Sequence, residues 1–375
     1  MHTFYAELLP NIRSISLLIS LDTPAAASTR VTVNPGASSA SLHHHGESIN
    51  LPLPAAANLR PHQLMIPFAA GEKKLSCRLP LASESPARNN SRENYAPWSA
   101  PELMSKASVA FLCRECGVEI LPSGRRTKWK DLPSGNWADM MDFWHCHKPH
   151  DDKKSADGEG SRYSVLGQGF VVEQGIGLVD RGYFLLAAKD CTNCRVSHCS
   201  LSLMITLNSV CTSCDAPLGA IEAGVGTNDM QMWRINKWTL RLNDQGKEIA
   251  YSLECFLASQ FIAFTEEGGV RRLFITMEDN RSPGLKLWIF NTEVYYTHSS
   301  SPMPVRGIKV FWQEAKPGEK VQTDSLKVTG LEAVELDEKA FHTLASCLEE
   351  SNQALPADIG KNGEWNAGSL RRFEE

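Results

Sequence analysis

The sequence VAFLCRECG at residues 109–117 decides how the middle of this 375-residue chain is interpreted. Its first residues are apolar or β-branched and predict a strand, which leads directly into a Cys-x-x-Cys turn. A second turn, CTSC at residues 211–214, follows a predicted strand at residues 203–207. We call the two turns knuckles. Together they supply four thiolates, a common ligand set of structural zinc sites. We therefore expect one Zn²⁺ ion, held by Cys113, Cys116, Cys211 and Cys214.

Other cysteines leave alternatives open. The chain has eleven, too few for a disulfide scaffold. A local set could hold an ion by itself or lend ligands to the first site, and it comprises Cys191, Cys194, His198 and Cys199. All of these thiols could also be ordinary core residues, because cysteine is often buried. The glycine after the first knuckle, Gly117, is expected to have a positive φ angle, since the chain turns sharply there.

Composition limits the classes of function. The net charge is −5, from 38 basic and 43 acidic residues, so no overall positive field favours direct nucleic-acid binding. The apolar run at residues 15–21 is shorter than the roughly 20 residues of a membrane helix. Glu7 and Arg13 precede it, which is untypical of a secretory signal. We expect a cytoplasmic or nuclear protein, or one found in both compartments, that binds no membrane.

Short alternating runs bounded by turn residues predict a mainly β (α+β) fold with few helices. Predicted strands include residues 15–21, 75–81, 109–113, 183–187, 237–242, 273–277, 285–290 and 308–312. Apolar spacings of three and four predict a helix at about residues 247–266. Another helix is predicted to begin after Asp337 as its N-cap and to end before Pro356. A short helix is predicted at residues 136–143.

Three polar or proline-rich segments, at residues 23–61, 83–101 and 150–164, are predicted to be surface loops or disordered insertions. The first contains the run His43 to His45, interpreted as a solvated loop because no partner is near in sequence. We predict two lobes: a β-rich lobe at residues 1–105 with disordered insertions, and a remainder at residues 106–375. The remainder contains a zinc-ribbon or tent-like region, a loop at residues 134–182 to which the family resemblance described next assigns partner binding, and the C-terminal helix.

Several motifs in order resemble those of the HECT-like family of ubiquitin-ligase proteins that bind ubiquitin-conjugating enzymes. The first knuckle is followed by Asn136-Trp137, then by WHCHKP at residues 144–149, and then by the second knuckle with Leu218-Gly219. The end of the chain, with Trp365 and GSLRRF at residues 368–373, is also similar to this family. The resemblance covers about residue 105 to the C-terminus, and its extension to the N-terminal strands is left open. Its most specific element is WHCHKP.

The resemblance implies a ubiquitin-protein ligase that binds a ubiquitin-conjugating enzyme and ubiquitin. It also implies a link to the endonuclease of mRNA 3′-end cleavage and polyadenylation. The partner-binding residues would be Trp137, Trp144, His145, Cys146, His147, Lys148 and Pro149, of which residues 144–147 would enter the nuclease active site. An alternative is a non-enzymatic binding or chaperone module that occupies this active site through residues 144–149.

A true HECT ligase needs a reactive thioester cysteine. The candidates in this chain are Cys347 and Cys255, although neither is followed by the residues of a HECT thioester loop. Cys347 lies beside the apolar stripe of the last predicted helix, where Glu349 and Glu350 would raise its pKa. Cys255 is expected to face the core. Both cysteines could serve packing alone.

Overall fold

The computed structural model describes residues 2–33, 38–58, 65–67, 69–82, 96–124, 128–132, 172–199, 206–223, 231–277, 283–316, 331–356 and 359–374. The chain forms two compact units. The first comprises Met1–Tyr95 and Leu253–Glu375, and the second comprises Ala96–Ser252. This division differs from the predicted one at residue 105, because strands from the two ends of the chain pair with each other.

The predicted mainly β class is confirmed, since the described residues form 24 strands and three α-helices. The strands are β1 Thr3–Leu9, β2 Ser14–Ser20, β3 Arg30–Val33, β4 Ser39–His44, β5 Glu47–Pro52, β6 Met65–Pro67, β7 Lys74–Pro80, β8 Val109–Cys113, β9 Glu119–Leu121, β10 Lys128–Asp131, β11 Ile176–Val179, β12 Tyr183–Ala187, β13 Cys194–Cys199, β14 Thr206–Cys211, β15 Pro217–Ala223, β16 Gln231–Asn236, β17 Leu240–Asp244, β18 Lys247–Ile249, β19 Arg272–Met277, β20 Leu285–His298, β21 Ser301–Glu314, β22 Leu331–Leu336, β23 Lys361–Asn362 and β24 Trp365–Arg371. The helices are α1 Ala100–Ser105, α2 Leu253–Glu266 and α3 Glu338–Gln353. No helix among the described segments has the length and apolar character needed to cross a bilayer.

Two sheets share the core of the first unit. The larger has nine strands, in the order β23-β24-β21-β20-β1-β2-β7, with β19 paired to β20 and β22 paired to β19. The smaller has four strands, in the order β5-β4-β3-β6. Ile15 and Leu17 of β2 belong to the same buried cluster as Leu42 of β4 and Leu51 of β5. The first unit is therefore held together by apolar side chains from both sheets.

The prediction that residues 23–61 form loops or disordered insertions is wrong for the part that the structure describes. β3, β4 and β5 occupy much of it and pair in antiparallel register. Alternate residues of β4, namely Ala40, Leu42 and His44, are buried. They alternate with partly exposed residues, which is the strand pattern of period two. The small and polar residues in and around the strand concealed this pattern in the sequence. His44 is 4% exposed, so the solvated-loop interpretation of the histidine run is also wrong.

One predicted helix begins later than expected and another begins where expected. The residues around each N-terminus explain the difference. The predicted helix at residues 247–266 begins at Leu253, because Lys247–Ile249 pairs with β17 as β18. Asp337 is the N-cap of α3, as predicted, and its Oδ1 accepts a hydrogen bond of 2.8 Å from the backbone N–H of Ala340. A carboxylate at this position satisfies an amide that has no partner within the helix.

Aromatic side chains form the centre of the second unit. Its sheets have the orders β10-β11-β12-β16-β15-β14-β13 and β18-β17-β8-β9. Phe111 of β8 and Phe184 of β12 are fully buried, with ring centroids 4.9 Å apart, and Trp98 lies 5.1 Å from Phe111. Because β8 and β12 belong to different sheets, these rings join the two sheets through apolar contact.

A lysine is buried against these aromatic rings, which the sequence did not lead us to expect. Lys237 is 1% exposed, and its Nζ donates to the carbonyl oxygens of Pro97 and Trp98 over 3.0 and 3.2 Å. Nζ also lies 5.1 Å from the ring centroid of Phe184. Burial lowers the pKa of Lys237 to about 7, although Asp180 and other acidic groups act in the opposite direction.

Candidate metal centre

The four predicted cysteines converge at one place in the second unit. Sγ of Cys113 lies 3.7 Å from Sγ of Cys214, and Sγ of Cys116 lies 3.6 Å from Sγ of Cys211. All four sulfur atoms lie within 4.8 Å of one another. Four sulfurs bound at about 2.3 Å to a tetrahedral zinc ion would be about 3.8 Å apart. The spacing therefore fits a zinc ion.

The two knuckles share one backbone conformation. Gly117 donates its N–H to the carbonyl of Cys113 over 2.9 Å, and Asp215 donates to the carbonyl of Cys211 over 3.0 Å. Each donor residue has the left-handed backbone conformation, with φ of 78° at Gly117 and 59° at Asp215. The expected positive φ at Gly117 is confirmed. At this position glycine avoids the steric cost that a side chain such as that of Asp215 incurs.

Backbone amides and burial set different pKa values for the sulfurs. The N–H of Val118 is directed at Cys116 and, with the neighbouring thiols, lowers its pKa to about 6. Burial raises the pKa of Cys113. For Cys214 the N–H of Ala216 acts to lower the pKa, but desolvation and the neighbouring sulfurs raise it to about 12. These amides also stabilise thiolates bound to a metal ion.

Each knuckle is held by backbone hydrogen bonds to a neighbouring strand or turn. The N–H of Arg114 donates to the carbonyl of Thr239 over 2.9 Å, and the N–H of Thr212 donates to the carbonyl of Asn193 over 2.9 Å. The first knuckle extends from β8 and the second from β14, which belong to different sheets. An ion bound by all four sulfurs would therefore cross-link the two sheets of the second unit.

The four thiolates would complete a tetrahedron and leave no position for a substrate. Cys113 and Cys211 are buried, whereas Cys116 and Cys214 are exposed. Zinc sites that catalyse reactions keep an open position, while closed four-cysteine sites are structural. The chemistry of this donor set is therefore that of a structural ion at the edge of the unit.

The alternative local ligand set at residues 191–199 lies partly on β13. Cys194 lies opposite Cys211, and the chain continues from Cys194 to Cys199 as the extended strand β13. The side chains of His198 and Cys199 lie outside what the structure describes, so metal binding by this set stays a prediction. Cys194 donates its thiol proton to the carbonyl of Thr192, and burial raises its pKa.

The predicted partner-binding residues lie outside the described residues. They are Trp137, Trp144, His145, Cys146, His147, Lys148 and Pro149. The described strands on either side, β10 and β11, pair in parallel at one edge of the seven-stranded sheet. β14, which carries Cys211, is four strands from β11, or about 19 Å at about 4.8 Å per strand. The first knuckle is closer to β10, because the ring of Phe111 on β8 lies 5.9 Å, between centroids, from the ring of Trp129 on β10.

The two candidate thioester cysteines lie in the first unit and are both partly buried. Cys255 is on α2 and Cys347 is on α3. Burial raises the pKa of Cys347 to about 12, and the charges of Glu254 and Glu350 add to this effect. A nucleophilic cysteine needs a lowered pKa. Burial and these charges therefore disfavour the thiolate form of Cys347 that thioester chemistry needs.

Comparison with known proteins assigns the family. The model of the family described as HECT-like ubiquitin-conjugating enzyme (E2)-binding matches residues 7–367. The chain belongs to this HECT-like family. The match includes both units and therefore the N-terminal strands, over which the resemblance was left open.

Two fungal proteins are similar to this member of the HECT-like family. The uncharacterized protein YJR141W of Saccharomyces cerevisiae is 24% identical over 270 residues, covering 72% of this chain and 70% of that protein. The uncharacterized protein C1734.10c of Schizosaccharomyces pombe is 22% identical over 316 residues, covering 79% of this chain and 83% of that protein. No solved structure matches the chain.

Proposed function

We propose that this protein is a ubiquitin-protein ligase that acts by recruitment. The observation that supports the proposal is the match of residues 7–367 to a family described by its binding of ubiquitin-conjugating enzymes. In this mechanism the protein holds a conjugating enzyme charged with ubiquitin close to a substrate. The high effective concentration of the substrate lysine then accelerates transfer.

Transfer would occur directly from the conjugating enzyme to the substrate. The lysine amine attacks the carbonyl carbon of the ubiquitin thioester, the carbon–sulfur bond breaks, and the cysteine of the conjugating enzyme leaves as a thiolate. The amine loses a proton as the isopeptide bond forms. This route requires no nucleophile in the ligase, in keeping with the raised pKa of Cys347.

An autoubiquitination assay tests this function. The purified protein is incubated with activating enzyme, ubiquitin, ATP and each of a panel of conjugating enzymes. We expect product with at least one conjugating enzyme, and equal product from Cys347→Ala and Cys255→Ala. Cys77→Ala, which alters another partly buried thiol, is the matched control. Loss of product in Cys347→Ala or Cys255→Ala alone would establish a thioester route instead. No product with the whole panel would refute ligase activity.

We also propose that the zinc-dependent endonuclease of mRNA 3′-end processing is a partner. Trp144, His145, Cys146 and His147 would enter its active site, where a thiolate or imidazole can coordinate a catalytic zinc ion that keeps an open position. The order of residues in WHCHKP supports this proposal. A pull-down with the nuclease tests it: binding should be lost in Cys146→Ala and kept in Cys191→Ala.

A non-enzymatic module is the second candidate function. The environment of Cys347 favours it, because a protein without an activated thiol could serve solely to bind the nuclease. This function predicts no ubiquitin transfer with any conjugating enzyme, together with nuclease binding that Cys146→Ala abolishes. We further propose a cytoplasmic or nuclear location, which microscopy of a fluorescent fusion would test.

A further inference from the structure

A second group of metal-ligating side chains lies in the first unit, outside the four-cysteine centre. It comprises His2, Asp22 and His44, whose ligand atoms lie within 4.8 Å of one another. Nδ1 of His2 is 2.7 Å from Oδ1 of Asp22. The rings of His2 and His44 meet edge to face, with their centroids 5.0 Å apart. Two imidazoles and one carboxylate thus converge from three segments of the chain.

Strand pairing brings these three residues together. Thr3 of β1 pairs with Ser20 of β2, so His2 before β1 and Asp22 after β2 leave the same end of the strand pair. His44 is the last residue of β4 in the four-stranded sheet, and the alternation of this strand buries its side chain. The group therefore connects the two sheets of the first unit at one point.

The imidazole of His44 is fixed by hydroxyl groups on both sides. Its Nε2 lies 2.8 Å from Oγ1 of Thr23, and its Nδ1 lies 2.9 Å from Oγ1 of Thr29. Histidines that bind metal ions usually donate their other ring N–H to an acceptor, which fixes the tautomer and the ring orientation. The nitrogen of His44 that binds an ion gives up its hydroxyl partner, while the other nitrogen keeps one for this purpose.

The contact between His2 and Asp22 needs a hydrogen atom or a metal ion between two electron-rich atoms. An imidazole nitrogen and a carboxylate oxygen 2.7 Å apart repel each other unless a proton or a metal ion lies between them. The side chain of Asp22 is 45% exposed, whereas that of His2 is 15% exposed, so solvent reaches this pair from the side of Asp22. An ion can therefore reach this position from solvent and replace the proton.

We propose that His2, Asp22 and His44 form a second metal site, for zinc or a neighbouring divalent transition metal. Imidazole nitrogens with one carboxylate oxygen are a ligand set that suits these ions. Three protein ligands leave the fourth position of a tetrahedron for water. An ion here ties the segment before β1 to β4 and so cross-links the two sheets of the first unit.

Calorimetric titration of the tag-free full-length chain with Zn²⁺ tests the site. The chain is first loaded with one equivalent of zinc to fill the four-cysteine centre. We expect it to bind a second equivalent. In His2→Gln and Asp22→Asn the affinity for this second equivalent should fall about tenfold or more, since even loss of an outer partner of a ligand typically costs that much. His44 is left unchanged because it is buried and its replacement could prevent folding.

His43→Gln is the matched control. His43 is adjacent in sequence, but its ring nitrogens lie 2.8 Å from Oγ1 of Thr32 and 2.7 Å from Oγ of Ser48. This variant should bind the second equivalent as wild type does. The proposal is overturned if wild type binds a single equivalent, if the second equivalent binds equally well to His2→Gln and Asp22→Asn, or if His43→Gln weakens it equally.

Cobalt provides an independent measurement. Co²⁺ replaces zinc at both sites, and binding through cysteine thiolates gives a charge-transfer absorption band. The first equivalent should produce this band, and the second should add only the weaker visible absorption of nitrogen and oxygen ligands. A charge-transfer band that doubles with the second equivalent would place the second ion on sulfur and overturn the proposal.

Discussion

Sγ of Cys116 lies 3.6 Å from Sγ of Cys211, although 95 positions separate the two residues in the chain. Each sulfur is presented by a knuckle that begins at the end of a strand in a different sheet. A single ion at this point would close a long loop of the chain, and loop closure reduces the entropy of the unfolded state. The centre is therefore expected to contribute strongly to the stability of the second unit.

Removal of the zinc should destabilise the second unit. We expect about one zinc ion per chain at the four-cysteine centre, and its loss in Cys211→Ser. The melting temperature of wild type should fall on chelation, because structural zinc contributes directly to the free energy of folding. Metal analysis and thermal denaturation measure both effects.

Cys77→Ser is the control for this prediction. Cys77 is a partly buried free thiol in the first unit, and its replacement should leave the zinc content unchanged. A chelated wild-type protein that melts at the same temperature as the zinc-loaded protein would contradict the structural role of the ion.

Gly117→Ala should weaken the first knuckle. Alanine at φ of 78° costs about 1–2 kcal/mol of strain, and its Cβ would lie 3.2 Å from Nη2 of Arg241. We expect a lower free energy of unfolding and weaker zinc binding. Gly124→Ala is the control, because φ is 84° there but no atom would lie within 4 Å of the new Cβ. Equal zinc affinity in the two variants would show that the knuckle tolerates the change.

Lys237 should make the stability of the second unit depend on pH. Its pKa is about 7 in the folded state, whereas an unfolded lysine has a pKa of about 10.4. Between these values the unfolded chain binds more protons than the folded one, so the free energy of unfolding rises with pH. The free energy of unfolding of wild type minus that of Lys237→Met should increase by up to about 1.4 kcal/mol per pH unit in this range.

Chemical denaturation from pH 7 to 9, with zinc and a reductant present, measures this dependence. Lys130→Met, which changes an exposed lysine of β10, should show none. A difference between wild type and Lys237→Met that stays constant with pH would mean that the carbonyls of Pro97 and Trp98 keep the buried lysine protonated.

Asp337→Ala should destabilise α3. The variant loses the hydrogen bond of 2.8 Å to the N–H of Ala340, and the loss of such a cap costs about 1 kcal/mol. Glu338→Ala, one position later, makes no capping bond and should cost less. Equal free energies of unfolding for the two variants would contradict the capping role.

Local features could be predicted from the sequence because local residues determine them. Val109–Cys113 and Tyr183–Ala187 are strands with the predicted bounds, and Asp337 caps the helix predicted after it. The two pairs of candidate zinc ligands could be predicted because the Cys-x-x-Cys spacing alone brings two sulfurs together in a turn. The buried face of α3 includes Phe341, Leu344 and Leu348.

The remaining features depend on pairings between distant segments. Glu7 of β1 lies opposite Tyr296 of β20, and no local pattern specifies such a partner. The position of His44 beside His2 and Asp22 likewise depends on pairings between segments that lie far apart in sequence. Lys237 was missed because a lysine in an alternating segment is ordinarily exposed, and only the three-dimensional position of the carbonyls of Pro97 and Trp98 gives it partners.

The pairing of β1 with β20 has a consequence for biosynthesis. When the ribosome has released residue 252, every strand of the second unit is available, so this unit can close while translation continues. β1 must wait until β20 emerges, and β24 joins the same sheet later still. The amino-terminal strands therefore spend most of elongation with an open edge, which is the interval in which a nascent chain depends most on chaperones.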